Sequence, residues 1–356
     1  MNSFRGNIKT ATKSLLLSIM RLRRVHLISK GVIFMSDREK LKISTRVMYD
    51  ELRRQNIPTT IIDARSSMLE YIDNAGVPHL LFSTISDKSS AAGHIISNNK
   101  LRTERIARQI GIPVPQDIEC SDFTEAFNFL TRHKRIVLKP LDNSGGLGVS
   151  TDITDEKTLR IAYDYALEHG TSIIAQQHIT GSDIRLLVIA GVFQSAVERR
   201  AAQVIGDGKS TIQKLITEAN TSGKREDNSM KNISLINTDS AERYLQEKIH
   251  SVPAMGKVIH VVGPANLSLG GTAHEATHRV SAQMIEDAEK ISRKLELGIC
   301  GVDMMWDEST DSYALIEINA TPGVNMHNDP FWGTKSNAIQ KYVEWLVQPN
   351  VDLAKN

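Results

Sequence analysis

Residues Gly298–His327 read GICGVDMMWDESTDSYALIEINATPGVNMH. It contains two apolar runs with the composition of strands, Gly301–Met305 and Tyr313–Ile318. Asp303 lies inside the first run, and Glu317 and Asn319 close the second. Side chains two residues apart on a strand share a face, so Glu317 and Asn319 project together and a neighbouring strand would bring Asp303 beside them. Two carboxylates and an amide oxygen on one sheet face predict a Mg²⁺ site, whose remaining ligands would be nucleotide phosphates.

The alternative interpretation is that Asp303 and Glu317 are solvated strand residues, since acids are depleted but not absent in strands. Their occurrence together, with Asn319 and a following Thr-Pro-Gly turn, favours the metal site.

Composition excludes several classes of protein. The chain has 356 residues, 24% charged and 40% hydrophobic, as in an ordinary globular protein with room for two or three structural units. A net charge of +2 and 5% aromatic residues give no footprint for nucleic-acid binding. Cys120 and Cys300 lie in unrelated contexts, so we expect no disulfide framework and a reducing, cytoplasmic location. No apolar stretch reaches the length of a membrane span.

The first 36 residues differ from the rest, because they carry seven Lys or Arg residues and no Asp or Glu. The apolar patch Leu15–Met20 is too short for a signal-peptide core. One interpretation is an amphipathic basic helix for a membrane surface or for targeting. The favoured interpretation is a dispensable extension, with Met35 as an alternative start.

Residues 37–97 predict an α/β cap. Asp37–Asp63 has the pattern of a helix followed by a β-branched strand. A helix is predicted over Ser66–Asn74 and a short strand over His79–Phe82.

Lys139 and the glycine-rich loop after it predict a phosphate site. Lys139 ends the strand Arg135–Pro140, whereas Lys100, at the start of the amphipathic helix Asn98–Ile110, would alone be a solvated surface charge and matters only if phosphates lie nearby. The loop Leu141–Val149 follows, and its glycines allow successive N–H groups to turn toward an anion. A glycine-rich hairpin turn without a ligand is the alternative.

The next segment predicts a hinge and a hairpin. A strand over Thr171–Ile179 leads through Thr180-Gly-Ser182 into a hairpin that turns at Gly191 and ends at Arg199 and Arg200. Because strand side chains alternate, only one of these two arginines can face inward with Arg185. Two further loops, Lys224–Asp239 and Ala265–Thr272, are expected over the site.

Seven motifs together resemble the ATP-grasp ligases, most of all the ATP-grasp part of the cyanophycin synthetases and the ligase half of the bifunctional glutathione synthetases. They are NNKLRTERIARQIGIPVP, VLKPLDNSGGLGV, GSDIRLLVIAG, VIGDGKSTIQKLI, VPAMGKVIHVVGPANLSLGGTAHEAT, GICGVDMM and IEINATPGVNMH, and they span roughly residues 86–345.

This resemblance implies an α/β (α+β) ATP-grasp fold in which a nucleotide is held between two α+β lobes. The expected domains are the extension 1–36, the cap 37–97 and an ATP-grasp domain 98–348, with the small lobe at about 120–180 and the large lobe at about 181–348.

The resemblance also implies roles for individual residues. Nucleotide phosphates would be bound by Lys100, Lys139 and the loop residues Ser144, Gly145, Gly146 and Gly148. Adenine would lie at Gln176, which replaces the usual glutamate, and at the backbone of Gln177, His178 and Ile179; the ribose would bind Asp183. Two Mg²⁺ ions, with Mn²⁺ as a substitute, would be held by Asp303, Glu317 and Asn319. Catalysis would use Arg200, Lys139, Arg185, Asn266 and Ser268, with Gly270 and Gly271 lining the reaction centre and Asn325 and His327 on the substrate side.

The implied activity is ATP-dependent, ADP-forming ligation of a carboxylate to an amine through an acyl phosphate. The expected substrates are small amino-acid-like acids and amines, and a homodimer is expected because dimers are common among the resembling proteins. Three alternatives stay open: a ligase that adds amino acids to a peptide or protein end, a non-catalytic ATP-binding regulatory protein, and a phosphotransferase.

Overall fold

The computed structural model describes residues 37–141, 147–222, 225, 234–263 and 265–349. The extension 1–36, Ser144, Gly145, Gly146 and most of the loop predicted at Lys224–Asp239 lie outside the described residues. Along the described part of the chain, no helix combines the length and the apolar character that crossing a membrane requires.

The N-terminal part pairs two helices with an antiparallel meander. The helices are α1 (Asp37–Lys40) and α2 (Ile43–Arg54), and the strands are β1 (Thr59–Asp63), β2 (Met68–Ile72), β3 (Pro78–Phe82) and β4 (Ile85–Ser86). The prediction of a helix at Ser66–Asn74 is wrong, because β2 occupies that segment. Leu69 and Tyr71 are buried and alternate with half-exposed neighbours, so the period is two residues and β2 pairs with both β1 and β3.

Two helices lead from the cap into a four-stranded sheet. The helices are α3 (Ala91–Ser97) and α4 (Lys100–Gln109), and the sheet has the order β5-β8-β6-β7. Its strands are β5 (Asp117–Cys120), β6 (Ile136–Pro140), β7 (Ser150–Ile153) and β8 (Ile173–Gln177). The helices α5 (Phe123–His133) and α6 (Glu156–Leu167) cover one face with an apolar core that includes Phe129, Leu138 and Leu159. The opposite face carries Lys139 and Gln176, over which α4 lies.

The largest sheet is antiparallel throughout and has the order β13-β10-β9-β14-β15. Its strands are β9 (Ser182–Ile189), β10 (Val192–Arg200), β13 (Thr272–Glu275), β14 (Ile299–Asp307) and β15 (Ser312–Asn319). The helix α9 (Ala282–Lys294) packs on one face, where Met284 and Ile291 join Leu186 and Val302 in the core. The other face packs on the cap and on the C-terminal helix α11 (Ala338–Leu346).

The remaining elements form a smaller layer beside β10. Strands β11 (Gln203–Ile205) and β12 (Val258–His260) pair with each other, and the helices α7 (Ile212–Thr221) and α8 (Thr238–Leu245) pack on them. A 3₁₀ turn follows at Leu267–Leu269, and the short helix α10 (Asn325–Asn328) follows β15.

Candidate functional site

Lys139 lies at the end of β6 with its ammonium group buried between the small sheet and α4. Lys139 Nζ donates to Gln176 Oε1 at 2.8 Å, and Gln176 Nε2 donates to Glu104 Oε1 at 2.8 Å. Burial lowers the pKa of Lys139 to about 8; the charge of Lys100 adds to this effect, and those of Glu104 and Glu317 oppose it. Lys139 is therefore within electrostatic reach of both Lys100 at the start of α4 and Glu317 on the large sheet.

Gly148 lies near the end of the glycine-rich loop that connects β6 to β7. This residue has a φ of +76°, and a Cβ placed on it would lie 2.9 Å from His169 Cβ and 3.0 Å from Pro140 Cγ. Only glycine combines that backbone conformation with so close an approach.

The segment predicted to contact adenine already uses part of its backbone inside the protein. The amide of Gln177 donates to the carbonyl of Gln116 at 2.8 Å, and the amide of His178 donates to the carbonyl of Arg135 at 3.2 Å. The Gln176 side chain is likewise bonded at both ends.

A group of arginines and carboxylates, in which Arg185 and Asp303 are buried and Arg199 and Asp183 half-buried, lies on the face of the large sheet that also carries Glu317. Arg185 makes a bidentate pair with Asp303, with Nε and Nη2 each 2.6 Å from a carboxylate oxygen. Arg199 Nη2 lies 2.6 Å from Asp183 Oδ1 and 2.9 Å from Asp303 Oδ2. Burial disfavours the charged form of Asp303, but the two guanidinium groups outweigh it and lower the pKa of this carboxyl. We call these four residues the inner cluster.

Strand pairing and one glycine create the space for the inner cluster. Asp303 pairs in register with Arg185 on one side and with Glu317 on the other, so all three side chains share a face. A Cβ on Gly301 would lie 3.0 Å from Arg185 Cδ and 3.2 Å from its Nε. The arginine side chain therefore runs over the glycine to reach Asp303.

The predicted metal ligands are brought together as the sequence indicates. Asp303 and Glu317 are cross-strand neighbours, and Asn319 lies two residues further on the same face with its Oδ1 accepting from the amide of Thr321 at 3.0 Å. Within the described ranges, no group of three or more His, Cys, Asp or Glu side chains could hold a metal ion. The donor set nevertheless fits Mg²⁺, which one or two carboxylates bind together with phosphate oxygens, although Asp303 is shared with two arginines.

Arg199, and not Arg200, faces Asp303, which corrects the expected position of the inward arginine. Arg200 Nε and Nη2 contact Glu198 at 3.1 and 3.0 Å on the other face of β10. Arg279 adds a bond to the same carboxylate at 2.7 Å and reaches Glu308 at 2.6 Å. We call Glu198, Arg200, Arg279 and Glu308 the outer cluster.

The loop Asn266–Gly271 is folded on itself. The amides of Leu269 and Gly271 donate to the carbonyl of Asn266, and that of Gly270 donates to Leu267. Asn266 Oδ1 accepts from both the amide and the hydroxyl of Ser268 at 3.0 Å. These amides are therefore not available to bind an anion, because they already close the 3₁₀ turn.

His327, expected on the substrate side, is buried under the large sheet. Its Nδ1 shares a hydrogen bond of 3.0 Å with the hydroxyl of Ser195. Burial lowers the pKa of His327 to about 3, so the ring is neutral. The half-buried Asn325 begins the same short helix, α10.

Sequence reasoning missed the contributions of Glu104 and Arg199. An acid on the buried stripe of α4, beside Thr103 and Ala107, was the available signal for Glu104. Arg199 could not be chosen over Arg200 without the register of β10.

Comparison with known proteins adds to this geometry. The family profile described as the ATP-grasp domain matches residues 97–323. Cyanophycin synthetase of Trichormus variabilis is 32% identical over 321 residues, covering 86% of this chain and 35% of that protein. The glutathione biosynthesis bifunctional protein GshAB of Clostridium perfringens is 29% identical over 325 residues, covering 86% of this chain and 41% of that protein.

A solved structure has the same fold. The bifunctional glutathione synthetase from Pasteurella multocida superposes with a TM-score of 0.62 at 21% identity, covering 86% of this chain and 43% of that one. The chain thus spans less than half the length of these relatives. The family profile covers more than half of the chain, and the fold agrees, so the chain belongs to the ATP-grasp family.

Proposed function

We propose that the chain is an ATP-dependent, ADP-forming ligase that joins a carboxylate to an amine through an acyl phosphate. The observation that carries the proposal is the meeting of two charge sets. Lys139 of the small sheet is joined to α4 through Gln176 and Glu104, and the segment after α4 bonds to β15, where the amide of Leu315 donates to the carbonyl of Pro113 at 2.8 Å. Glu317 lies on the same strand, where its charge opposes the fall in the pKa of Lys139, and Asp303, Arg185 and Arg199 share its face. Such a junction suits the transfer of a phosphoryl group between two bound substrates.

The chemistry explains why the site needs cations. A carboxylate is a poor acyl donor, because its leaving group would be oxide. When a carboxylate oxygen attacks the γ-phosphorus of ATP, ADP leaves and an acyl phosphate forms. The amine then attacks the acyl carbon, phosphate leaves, and the amine nitrogen releases a proton as the amide forms.

In this proposal, Lys100 and Lys139 bind nucleotide phosphates. Arg199 neutralises charge on the transferred group and on the tetrahedral oxyanion, and Arg185 holds Asp303 in place. Asp303, Glu317 and Asn319 would hold Mg²⁺, two ions in the fuller form of the proposal, and the metal would neutralise phosphate oxygens. No covalent enzyme nucleophile is needed.

The substrates proposed are small amino-acid-like acids and amines, since the named relatives make cyanophycin or glutathione. Residues 98–348 would be the catalytic unit and 37–97 a cap that buries part of the large sheet. A homodimer in the cytoplasm completes the proposal, and light scattering after gel filtration would test the dimer.

The deciding experiment measures ADP release with Mg·ATP against pairs of amino acids and dipeptides, with the Glu317→Ala variant as control. Release that requires both an acid and an amine, with a mass peak for the condensation product, is the expected result. Release with the acid alone would indicate a phosphotransferase. ATP binding without release from any pair would favour a regulatory role or a macromolecular acceptor.

A further inference from the structure

Three buried polar side chains form a chain of hydrogen bonds beneath the nucleotide face of the small sheet. Glu104, Gln176 and Lys139 are 1%, 3% and 4% exposed. The ammonium of Lys139 donates to the oxygen of the Gln176 amide, whose nitrogen donates to Glu104. These two hydrogen bonds join helix α4 to strands β8 and β6, which are separate along the sequence.

The chemistry of the two ends fixes the direction of the middle. An ammonium group only donates hydrogen bonds, whereas Glu104 Oε1, which faces the Gln176 amide, accepts one whether the carboxyl is ionised or carries its proton on Oε2. The amide of Gln176 can satisfy both only with its oxygen toward Lys139 and its nitrogen toward Glu104. Without an acceptor at position 104, the amide could turn its nitrogen toward Lys139, which would place a donor against a donor.

The environment of Glu104 indicates that this arrangement is maintained at a cost. Its Oε2 is buried, and the carboxyl shares its surroundings with a second acid, Asp117. Burial, with the nearby Asp117 carboxyl adding to it, raises the pKa of Glu104 to about 8. Leucine would fill a buried helix position at lower cost, so the acid at this position calls for a role other than packing.

We propose that Glu104 is a positioning residue for the nucleotide site, acting through the side-chain amide of Gln176 to hold the Lys139 ammonium where nucleotide phosphates bind. The inference rests on the proposed function, because it needs a nucleotide at Lys139. In this proposal the Gln176 side-chain amide orients Lys139 and does not hydrogen-bond to adenine.

The test is a double-mutant cycle on ADP affinity, measured by calorimetry with Mg²⁺ on the full chain without amino acids. Glu104→Leu and Gln176→Leu should each weaken binding about tenfold, the equivalent of one lost charge-assisted hydrogen bond. The double variant should bind about as weakly as either single variant, because both substitutions break the same chain. Losses that multiply to about 100-fold would overturn the proposal.

Two variants separate positioning from packing. Glu104→Gln keeps an acceptor for the Gln176 amide and should bind ADP within about threefold of the wild type. Arg105→Gln, which alters the next and exposed residue of α4, should leave affinity unchanged. If Glu104→Gln lost as much ADP affinity as Glu104→Leu, the proposed positioning role of Glu104 would be contradicted.

Should a leucine variant fail to fold by circular dichroism, the exchange Glu104→Gln with Gln176→Glu replaces it. This double variant keeps every donor and acceptor, since the carboxylate at 176 would accept from both Lys139 and the new amide. Affinity within about threefold of the wild type is expected, and a loss above about tenfold in the folded protein would sink the idea. A wild type that binds no ADP would instead overturn the proposed function.

Discussion

The inner and outer clusters occupy opposite faces of the same strand, yet they differ in almost every physical respect. The inner cluster has Arg185 and Asp303 buried, and its arginines converge on the Asp303 carboxylate. In the outer cluster Glu198 is also buried, but the side chains of Arg200 and Arg279 that converge on it are 44% and 37% exposed. Arg199 and Arg200 are adjacent on β10 and both pair with carboxylates, but the Arg200 side chain is more exposed to water.

The exposure of the arginines, and not the existence of ion pairs, separates a candidate catalytic group from a surface ion pair. Water screens the outer pairs, so each contributes little to stability. The inner charges are largely removed from water, and Arg185 and Asp303 are buried, so losing one partner leaves an uncompensated buried charge. Buried charges also act more strongly on charge that develops beside them, which is the property that phosphoryl transfer requires.

The largest difference in activity is expected between variants of the two neighbouring arginines. Arg199→Ala should lower kcat by about 10²–10³-fold, as loss of one oxyanion-stabilising group does. Arg200→Ala, the matched control, should stay within about threefold, because its guanidinium faces Glu198 and solvent. Both are measured by ADP release with the substrate pair identified for the wild type. A larger loss for Arg200→Ala would return the catalytic role to the outer face.

One β-bulge determines which of the two adjacent arginines faces Asp303. Ala190 and Gly191, with φ of +50° and +74°, form a two-residue turn at which Ile189 pairs with Val192. Without interruption, that register would pair Asp183 with Glu198 and put Arg200 on the inner face. A bulge between Phe193 and Ser195 shifts the strand by one residue, so Asp183 pairs with Arg199 instead.

Other features show the same boundary between local and tertiary information. The acidic pair Asp303 and Glu317 was predicted correctly as cross-strand neighbours, because strand alternation and two short apolar runs are local signals. The strand β2 was mistaken for a helix, since its five residues are too few to separate the two periods without the neighbouring strands. The role of Glu104 could not be predicted locally, because its hydrogen-bond partner Gln176 lies 72 residues away in the sequence.

Removing the shared carboxylate of the inner cluster should cost the most stability. Asp303→Asn leaves Arg185 and Arg199 without their common counter-charge and sets an amide donor against them, so we expect about 3–5 kcal/mol less free energy of unfolding. Glu308→Gln, which weakens an exposed pair with Arg279, should change it by about 0–1 kcal/mol. Urea denaturation measures both. Equal effects would mean that burial does not distinguish the clusters.

Filling the space under Arg185 should have a smaller effect. Gly301→Ala places a methyl group 3.0 Å from Arg185 Cδ. The arginine must move, and overpacking of this kind costs about 1–3 kcal/mol. Gly323→Ala is the control, because its Cβ would meet Met326 Cε and Asn325 Oδ1 at 3.4 and 3.5 Å, ordinary contact distances. Thermal unfolding of the two variants side by side would show whether the inner cluster depends on the glycine.

The smallest expected effect is a pH dependence from the outer cluster. Burial opposes ionisation of Glu198, but hydrogen bonds from Arg200 and Arg279 outweigh it and hold its pKa at about 2, below the usual 4.5. A carboxyl whose folded-state pKa is depressed stabilises the fold above pH 4.5 and loses that contribution as the pH falls toward 2. Because its arginine partners are well exposed, we expect only about 1 kcal/mol. Glu198→Gln should therefore flatten the fall in unfolding free energy between pH 5 and pH 2 by about that amount, with Glu308→Gln as the exposed control. An unchanged slope would show that solvent screens the outer cluster completely, which would widen its contrast with the inner one.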